Sequence, residues 1–322
     1  MGGGLGELAG RVWEMAGIGV RRDVAVARLL MTAVLSWTVL GACGVGAGDE
    51  DGRVPVVATF SVLGELVERV GGGQVEVRTL VGANGDTHGF TPSPADQVAI
   101  ARAEVVFENG LGFEVWLDRL MGSSGSTAKR IVLSEGMEIL SPNGNAPDPH
   151  VWLDVRNVIL MVDRVREALG EALPGRAVEF DRRARVLTLD LEELDAWIFG
   201  QMETITPERR KLVTNHDSFG YFARRYGLEV VGMVIPSVTD DIVAPVAGEI
   251  AALVDLIREE GASAVFAENV SNSRLAEQVA REAGVRLVEG LYTGALGSLG
   301  SEGETYDGMM RADVRLIVGA LR

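Results

Sequence analysis

The chain has 322 residues, of which 47% are hydrophobic and 24% are charged, a composition typical of a globular protein with enough chain for two lobes. Its formal net charge is −16 at pH 7. Because such a surface would repel nucleic-acid phosphates, we expect no nucleic-acid partner, and the charge suits a cationic ligand. The sequence contains one cysteine, which excludes a disulfide framework.

The N-terminal segment has the pattern of a secretion signal. Arg21, Arg22 and Arg28 precede the apolar run LLMTAVLSWTVL at residues 29–40. A run of this length is too short to cross a bilayer comfortably but is typical of the core of a signal peptide.

The apolar run ends in Leu-Gly-Ala-Cys, which resembles the lipobox of bacterial lipoproteins. In a lipobox the cysteine is diacylated and becomes the mature N-terminus. We therefore predict a signal peptide over residues 1–43, lipidation at Cys43 and a flexible polar tether over residues 44–53. This segment predicts an extracytoplasmic protein that is anchored to the cell membrane.

From Val54 onward, short β-rich runs alternate with longer amphipathic runs, which is the pattern of β/α units around parallel sheets. The predicted strands form two series of four, VPVVATF, VEVRTLV, VVFENG and RIVLS, followed by RKLVTN, EVVGMVI, SAVFAEN and RLVEGLY. We predict an α/β fold with a parallel four-stranded sheet in each of two lobes, at residues 54–174 and 204–322.

A long helical region separates the two series. Its second part, VEFDRRARVLTLDLEELDAWIFGQM, has apolar residues at helical spacing and contains no Gly or Pro until Gly200. A helix of that length extends for roughly 35 Å at 1.5 Å per residue, which suffices to run the height of both lobes. We predict an interlobe helix over residues 175–203.

All three histidines of the chain follow a predicted strand or precede a predicted helix. His88 follows the second strand, His216 lies at the end of the first strand of the second lobe, and His150 lies just before the helical region. Ligands gather at the carboxyl ends of parallel strands and in clefts between lobes, and neutral imidazole is a common metal ligand. The three side chains could therefore converge on a metal, or each could be an isolated surface or capping residue.

Seven motifs identify a family resemblance that covers nearly all of residues 54–322. The motifs ATFSVLGELVERVGG, THGFTPSPAD, DPHVWLD, TNHDSFGYFARRYG, IPS, VFAENVSNSRLAEQVAREAG and GETYDGMM resemble, in order and spacing, the metal-binding solute receptors of zinc and manganese ABC importers. The resemblance implies two lobes bridged by one rigid helix, a metal buried between them and limited closure on binding. It also implies an ABC permease and its ATPase as partners, and we expect a monomer.

The resemblance implies that His88, His150 and His216 are the metal ligands. Manganese-type members usually have a glutamate at the third place, where this chain has His216. Because nitrogen-rich ligand sets suit Zn²⁺ and carboxylate-rich sets suit Mn²⁺, we expect a zinc receptor, with a manganese receptor of the same family as the alternative.

One position departs from the family pattern. Many members take a fourth ligand from an aspartate in a YTDS-like segment, whereas this chain has Tyr-Thr-Gly-Ala with Gly294 at that place. Tetrahedral zinc would then need a water molecule or another carboxylate. The carboxylates considered for the fourth ligand, or for support of a ligating histidine, are Asp217, Glu268, Glu302 and Glu304.

The residues around His150 have structural interpretations of their own. Asp148 either accepts a hydrogen bond from His150 or forms a turn with Pro149. Asp154 is expected to cap the helix that starts at Val155. Apolar walls for the site are predicted at Trp152, Phe90 and Phe219.

Two functions of other classes remain open from the sequence. Three histidines with a vacant fourth position are also the pattern of a zinc hydrolase, for which Asp217 or Glu268 could serve as the general base. No other feature of a catalytic site is visible in the sequence, and we expect no enzyme. A lipid-anchored family member that has lost metal binding could instead serve as an adhesin or scaffold, which the glycine at position 294 would favour.

Overall fold

The computed structural model describes residues 52–141, 146–235, 245–269 and 273–322. The predicted signal peptide, Cys43 and most of the predicted tether lie outside the described residues. Within the described ranges, no helix is both long enough and apolar enough to cross a membrane.

The first sheet consists of four parallel strands in the order β2-β1-β3-β4. Its strands are β1 (Val54–Phe60), β2 (Val75–Val81), β3 (Val105–Glu108) and β4 (Lys129–Val132). The connecting helices are α1 (Ser61–Gly71), α2 (Pro94–Arg102) and α3 (Leu117–Ser124). Helices cover the sheet on its faces, which is why β1 is apolar and almost wholly buried along its length.

The second sheet repeats this arrangement with the order β6-β5-β7-β8. Its strands are β5 (Lys211–His216), β6 (Glu229–Ile235), β7 (Ala264–Glu268) and β8 (Arg286–Leu291). The helices of this half are α6 (Gly220–Tyr226), α7 (Ala247–Glu260), α8 (Arg274–Ala283) and α9 (Tyr306–Leu321). The predicted α/β fold with two parallel four-stranded sheets is confirmed.

Two helices connect the sheets. Helix α4 spans Val155–Ala172, a turn follows at Pro174–Arg176, and helix α5 spans Ala177–Met202. The side chain of Asp154 accepts a hydrogen bond from the N–H of Arg156 and caps α4, as expected. Helix α5 has 26 residues and a length of about 39 Å.

One face of α5 is buried along the whole helix. The buried residues recur at intervals of three and four, which places them on a single stripe. They are Phe180, Ala184, Leu187, Leu191, Leu194, Ile198 and Met202.

Most of the buried side chains belong to one continuous core. This core includes β1 and α1 of the first lobe, α4 and α5, and α9 of the second lobe. A smaller core covers β5 and β7 together with α7 and α8. Because the larger core is shared, packing between the lobes is part of the fold itself.

The sequence pattern predicts a helix from near Phe113 to Met121, but helix α3 begins at Leu117. The three residues 110–112 all have positive φ, which is incompatible with a right-handed helix. The carboxylate of Glu114 accepts a hydrogen bond from the N–H of Asn109 at 2.7 Å and stabilises this turn. The turn directs the ring of Phe113 into the core.

Candidate metal centre

The side chains of His88, His150 and His216 meet in one cluster. One potential ligand atom from each residue lies within 4.8 Å of the others. The Nε2 atoms of His150 and His216 are 3.2 Å apart. Both residues are buried, with exposed fractions of 3% and 6%, and His88 is partly exposed.

Three separate segments deliver these histidines. His88 lies on the loop that follows β2, and His216 is the last residue of β5. His150 directly precedes a short 3-10 helix over Val151–Leu153, which leads into α4. The cluster therefore joins the ends of strands from both sheets with the start of the interlobe helices.

Asp148 orients the ring of His150. Its Oδ1 accepts a hydrogen bond from the N–H of His150 at 2.9 Å and lies 2.8 Å from His150 Nδ1. A proton on Nδ1 would leave the lone pair on Nε2 free to coordinate. Burial, reinforced by the charge of His216, lowers the pKa of His150 to about 3, so the ring is neutral at pH 7.

Glu268 holds His216 in the corresponding way. Its Oε1 contacts Nδ1 of His216, and its Oε2 accepts a hydrogen bond from Thr293 Oγ1 at 2.7 Å. Burial acts to lower the pKa of His216, but the charge and hydrogen bond of Glu268 outweigh it and raise this pKa. Burial acts to raise the pKa of Glu268, and the same contact lowers it. Nε2 of His216 faces the cluster.

His88 completes the set with a nitrogen that the protein leaves unsatisfied. Its Nε2 is buried and has no hydrogen-bond partner among the described groups. Its ring centroid lies 5.6 Å from that of His150 and 6.0 Å from that of His216. Burial lowers the pKa of His88 to about 4, helped by the charges of the other two histidines. A neutral ring with an unused nitrogen is available to a cation.

Aromatic side chains line the cluster. The ring of Phe113 packs 4.8 Å from that of His88, and Trp152 packs 5.4 Å from His150. Trp152 Nε1 donates to the carbonyl of Thr293 at 2.7 Å, which fixes the indole against the second lobe. Of the three predicted wall residues, Trp152 alone contacts a histidine ring in the described part of the chain. Phe90 packs on Trp116, and Phe219 packs on Phe222.

The four carboxylates considered from the sequence have different positions. Among the described residues the ligand-atom cluster contains only the three histidines, and Glu268 supports one of them. Asp217 is half-buried directly after His216. The structure does not bring Glu302 or Glu304 to the histidines. Glu302 is 74% exposed and pairs with Arg315 at 3.2 Å, and Glu304 accepts from the N–H of Gly300.

Two residues of the site escaped the sequence analysis. Thr293 holds Glu268 through its hydroxyl and Trp152 through its carbonyl, and Phe113 forms a wall. Phe113 follows the carboxyl end of β3 in the glycine-rich stretch NGLGF, a position from which a side chain can reach a strand-end site. Thr293 carries no such signal, because its role depends on contacts with residues 25 and 141 positions away.

The cluster has the chemistry of a divalent-metal site. It offers three imidazole nitrogens, two of them backed by buried carboxylates that fix the rings and supply negative charge. A side chain at Gly294 would meet no atom within 4 Å of its Cβ, so this position has room where the resemblance implies an aspartate. The three nitrogens could supply three of the four ligands of a tetrahedral cation.

The chain is similar to known metal-binding proteins. The model of the family ZnuA, described as zinc-uptake complex component A, periplasmic, matches residues 56–320. The manganese-binding lipoprotein MntA of Halalkalibacterium halodurans is 33% identical over 300 residues, which cover 91% of this chain and 99% of that protein. The manganese ABC transporter substrate-binding lipoprotein PsaA of Streptococcus mitis is 24% identical over 310 residues, which cover 91% and 97%.

Among solved structures, the periplasmic zinc-binding protein TroA of Treponema pallidum superposes with a TM-score of 0.78. It is 30% identical in sequence, and the match covers 84% of this chain and 99% of TroA. The family model spans both sheets, the interlobe helices and all three histidines. The chain therefore belongs to the ZnuA family of metal-binding substrate-binding proteins.

Proposed function

We propose that this chain is an extracytoplasmic zinc receptor that captures Zn²⁺ and delivers it to the permease of an ABC importer. One observation carries the proposal, namely the convergence of three imidazoles, two of them buried, from three separate segments. Two of these rings are neutral at pH 7 because burial lowers the pKa values of His88 and His150. An ion can bind their nitrogens without displacing a proton.

The donor set favours zinc over manganese. The clustered ligand atoms of the described residues include three imidazoles and no carboxylate, and nitrogen donors suit Zn²⁺ better than Mn²⁺. Manganese is the alternative, because MntA and PsaA are named for it. A direct competition between the two ions separates these possibilities, and we expect zinc to displace manganese from the protein.

The buried carboxylates explain how a site without an acidic ligand can hold a divalent cation. Asp148 and Glu268 place negative charge one imidazole away from the coordinating nitrogens. In a buried site this charge offsets the cost of removing the ion from water. Burial raises the pKa of Asp148 to about 6, which still leaves it mostly ionised at pH 7.

We further propose that the chain is a monomer anchored through a lipid on Cys43, and that its permease acts with an ATPase partner. The proposal is supported by the lipobox-like segment at residues 40–43 and by relatives that are named lipoproteins. The Cys43→Ser variant should then lose membrane attachment in cell fractionation. Retention of this variant in the membrane fraction would count against the anchor.

Isothermal titration calorimetry with the purified, metal-free protein tests the receptor function. We expect one Zn²⁺ per chain, and His150→Ala should weaken zinc affinity by at least about 100-fold because it removes a ligand from a site of three. Glu302→Ala, which changes an exposed carboxylate, is the control and should leave the affinity unchanged. Absence of zinc binding by the unmodified chain, or equal affinity of His150→Ala, would refute the proposal.

A further inference from the structure

Asn84 links the loop that carries His88 to the second lobe by three hydrogen bonds. Its N–H donates to the carbonyl of Leu296 at 2.8 Å. Its Nδ2 donates to Ser298 Oγ at 2.7 Å, and its Oδ1 accepts from Asn269 Nδ2 at 2.9 Å. We call these three hydrogen bonds the Asn84 clasp.

The backbone of Asn84 suits an asparagine at this position. Its φ of 54° lies in the left-handed region, which asparagine tolerates better than most other residues. A side-chain amide also offers a donor and an acceptor at once, and both are used here. Glycine would keep the backbone conformation but lose both side-chain bonds.

The partners of the clasp lie next to the residues that support the metal centre. Asn269 directly follows Glu268, and Leu296 and Ser298 follow Thr293 on the same loop. The N–H of Leu296 donates to Ser61 Oγ of the first lobe at 2.9 Å. Both peptide groups of Leu296 are thus bonded across the lobe boundary.

Exposure distinguishes the side-chain bonds of the clasp from the buried bonds that Trp152 makes across the lobe boundary. The two side-chain bonds of Asn84 are exposed to solvent. The bonds from Trp152 to Thr293 and from Tyr306 to Trp152 are buried. Water can replace an exposed bond at low cost, whereas breaking a buried bond leaves polar groups unsatisfied. The side-chain bonds of the clasp therefore separate at lower cost than these two buried bonds.

We propose that Asn84 is a positioning residue that controls metal release. It holds the loop of His88 against the second lobe, so the ion leaves only after the clasp opens. This inference rests on the proposed receptor function. It predicts that weakening the clasp accelerates dissociation without changing the ligands of the ion.

The Asn84→Gly variant tests this inference, because it keeps the left-handed backbone and removes only the two side-chain bonds. Zinc dissociation is measured by stopped-flow mixing of the zinc-loaded protein with excess chelator. We expect the dissociation rate to rise by about tenfold, as for the loss of two modest hydrogen bonds. The absorption spectrum of the Co²⁺-loaded variant should match the unmodified protein, because all three histidines remain.

A double-mutant cycle and a matched control make the test specific. Ser298→Ala should accelerate release by itself, but adding it to Asn84→Gly should have little further effect, since the two residues share one bond. Gln97→Ala removes an amide that bonds within the first lobe to Ser123, and it should leave the rate unchanged. Zinc binding with an unchanged rate in Asn84→Gly would overturn this inference alone. Absence of zinc binding by the unmodified chain would overturn the proposed function as well.

Discussion

Glu268 orients the ring of His216 and raises its pKa. Its Oε1 contacts His216 Nδ1, its Oε2 is held by Thr293, and only 6% of the residue is exposed. In this arrangement the carboxylate fixes the ring, directs Nε2 to the cluster and contributes a negative charge to a site whose clustered donors are imidazole nitrogens.

The Glu268→Gln variant tests this role. The amide keeps the size of the side chain but removes its charge, so we expect zinc affinity to fall by about 10- to 100-fold. Calorimetry of the metal-free protein measures the change. Glu302→Gln is the matched control, because its carboxylate is exposed and pairs with Arg315. Equal affinities of Glu268→Gln and the unmodified protein would show that this charge has no part in binding.

Asp313 is buried in α9 with one oxygen unsatisfied. Its Oδ1 accepts from the N–H of Tyr292 at 2.8 Å, and its Oδ2 has no partner among the described groups. Burial, reinforced by the charge of Glu268, raises the pKa of Asp313 well above its usual value. The neutral form is favoured on folding, so its contribution to stability is full below about pH 4 and is lost as pH rises toward the folded-state pKa.

The Asp313→Asn variant has no ionisable group at this position, so it should not show this loss of stability at higher pH. We expect the variant to exceed the metal-free parent in free energy of unfolding, and by more at pH 8 than at pH 5. Urea denaturation at the two pH values provides the measurement. Asp307→Asn, on the same helix and paired with Arg311, is the control and should change stability by less than about 0.5 kcal/mol. A gain that does not depend on pH would contradict the explanation.

At the residue scale, the positions of the three histidines in the chain indicated that they could converge. The contacts that hold their rings could not be predicted from the sequence. Each histidine follows a strand or precedes a helix, and topology alone brings such positions together. The contacts of Thr293 and Glu268 could not be derived in this way, because they depend on how loops distant in sequence pack. Glu302 was considered as a ligand because it lies next to a family motif in the sequence. In the structure it is exposed and pairs with Arg315 instead.

Helix α5 connects the lobes through packing along one face. Leu194 on this face is fully buried, whereas Leu189 on the opposite side is 59% exposed. Arg225 of α6 adds a polar connection, because it bonds to Asp195 of α5 at 2.8 Å and pairs with Asp154 at the start of α4 at 3.2 Å. The helix is therefore tied to both lobes by apolar and charged contacts.

Two leucine variants of α5 measure this packing. Leu194→Ala should lower the free energy of unfolding by about 2–5 kcal/mol, because it leaves a cavity in the shared core. Leu189→Ala has the same chemistry on the exposed side and should change it by less than about 0.5 kcal/mol. Chemical denaturation monitored by circular dichroism compares them. Similar losses in the two variants would mean that the buried face does not carry the stability of the helix.

At the element scale, short apolar runs predicted the strands, because strands of a parallel sheet are buried on both faces. The start of α3 was missed, because the turn at residues 110–112 is stabilised by the side chain of Glu114 and not by helical hydrogen bonds. Local pattern cannot reveal such a competing contact. The sequence pattern also could not predict the shared core. Periodicity shows that one face of a helix is buried, but it does not show which residues pack against that face.

At the scale of the whole molecule, the histidine cluster draws on both sheets and on the interlobe helices. His88 comes from the first lobe, His216 from the second and His150 from the segment before α4. An ion bound to all three would therefore connect parts of the fold that also share the larger core.

X-ray absorption at the zinc edge, recorded on the one-to-one complex, tests the central claim most directly. We expect a first coordination shell of three imidazole nitrogens at about 2.0–2.1 Å and one further light atom. The His150→Ala complex, where it forms, should show one imidazole fewer. A zinc shell dominated by carboxylate oxygens, or one that is identical in His150→Ala, would contradict a metal centre built from His88, His150 and His216.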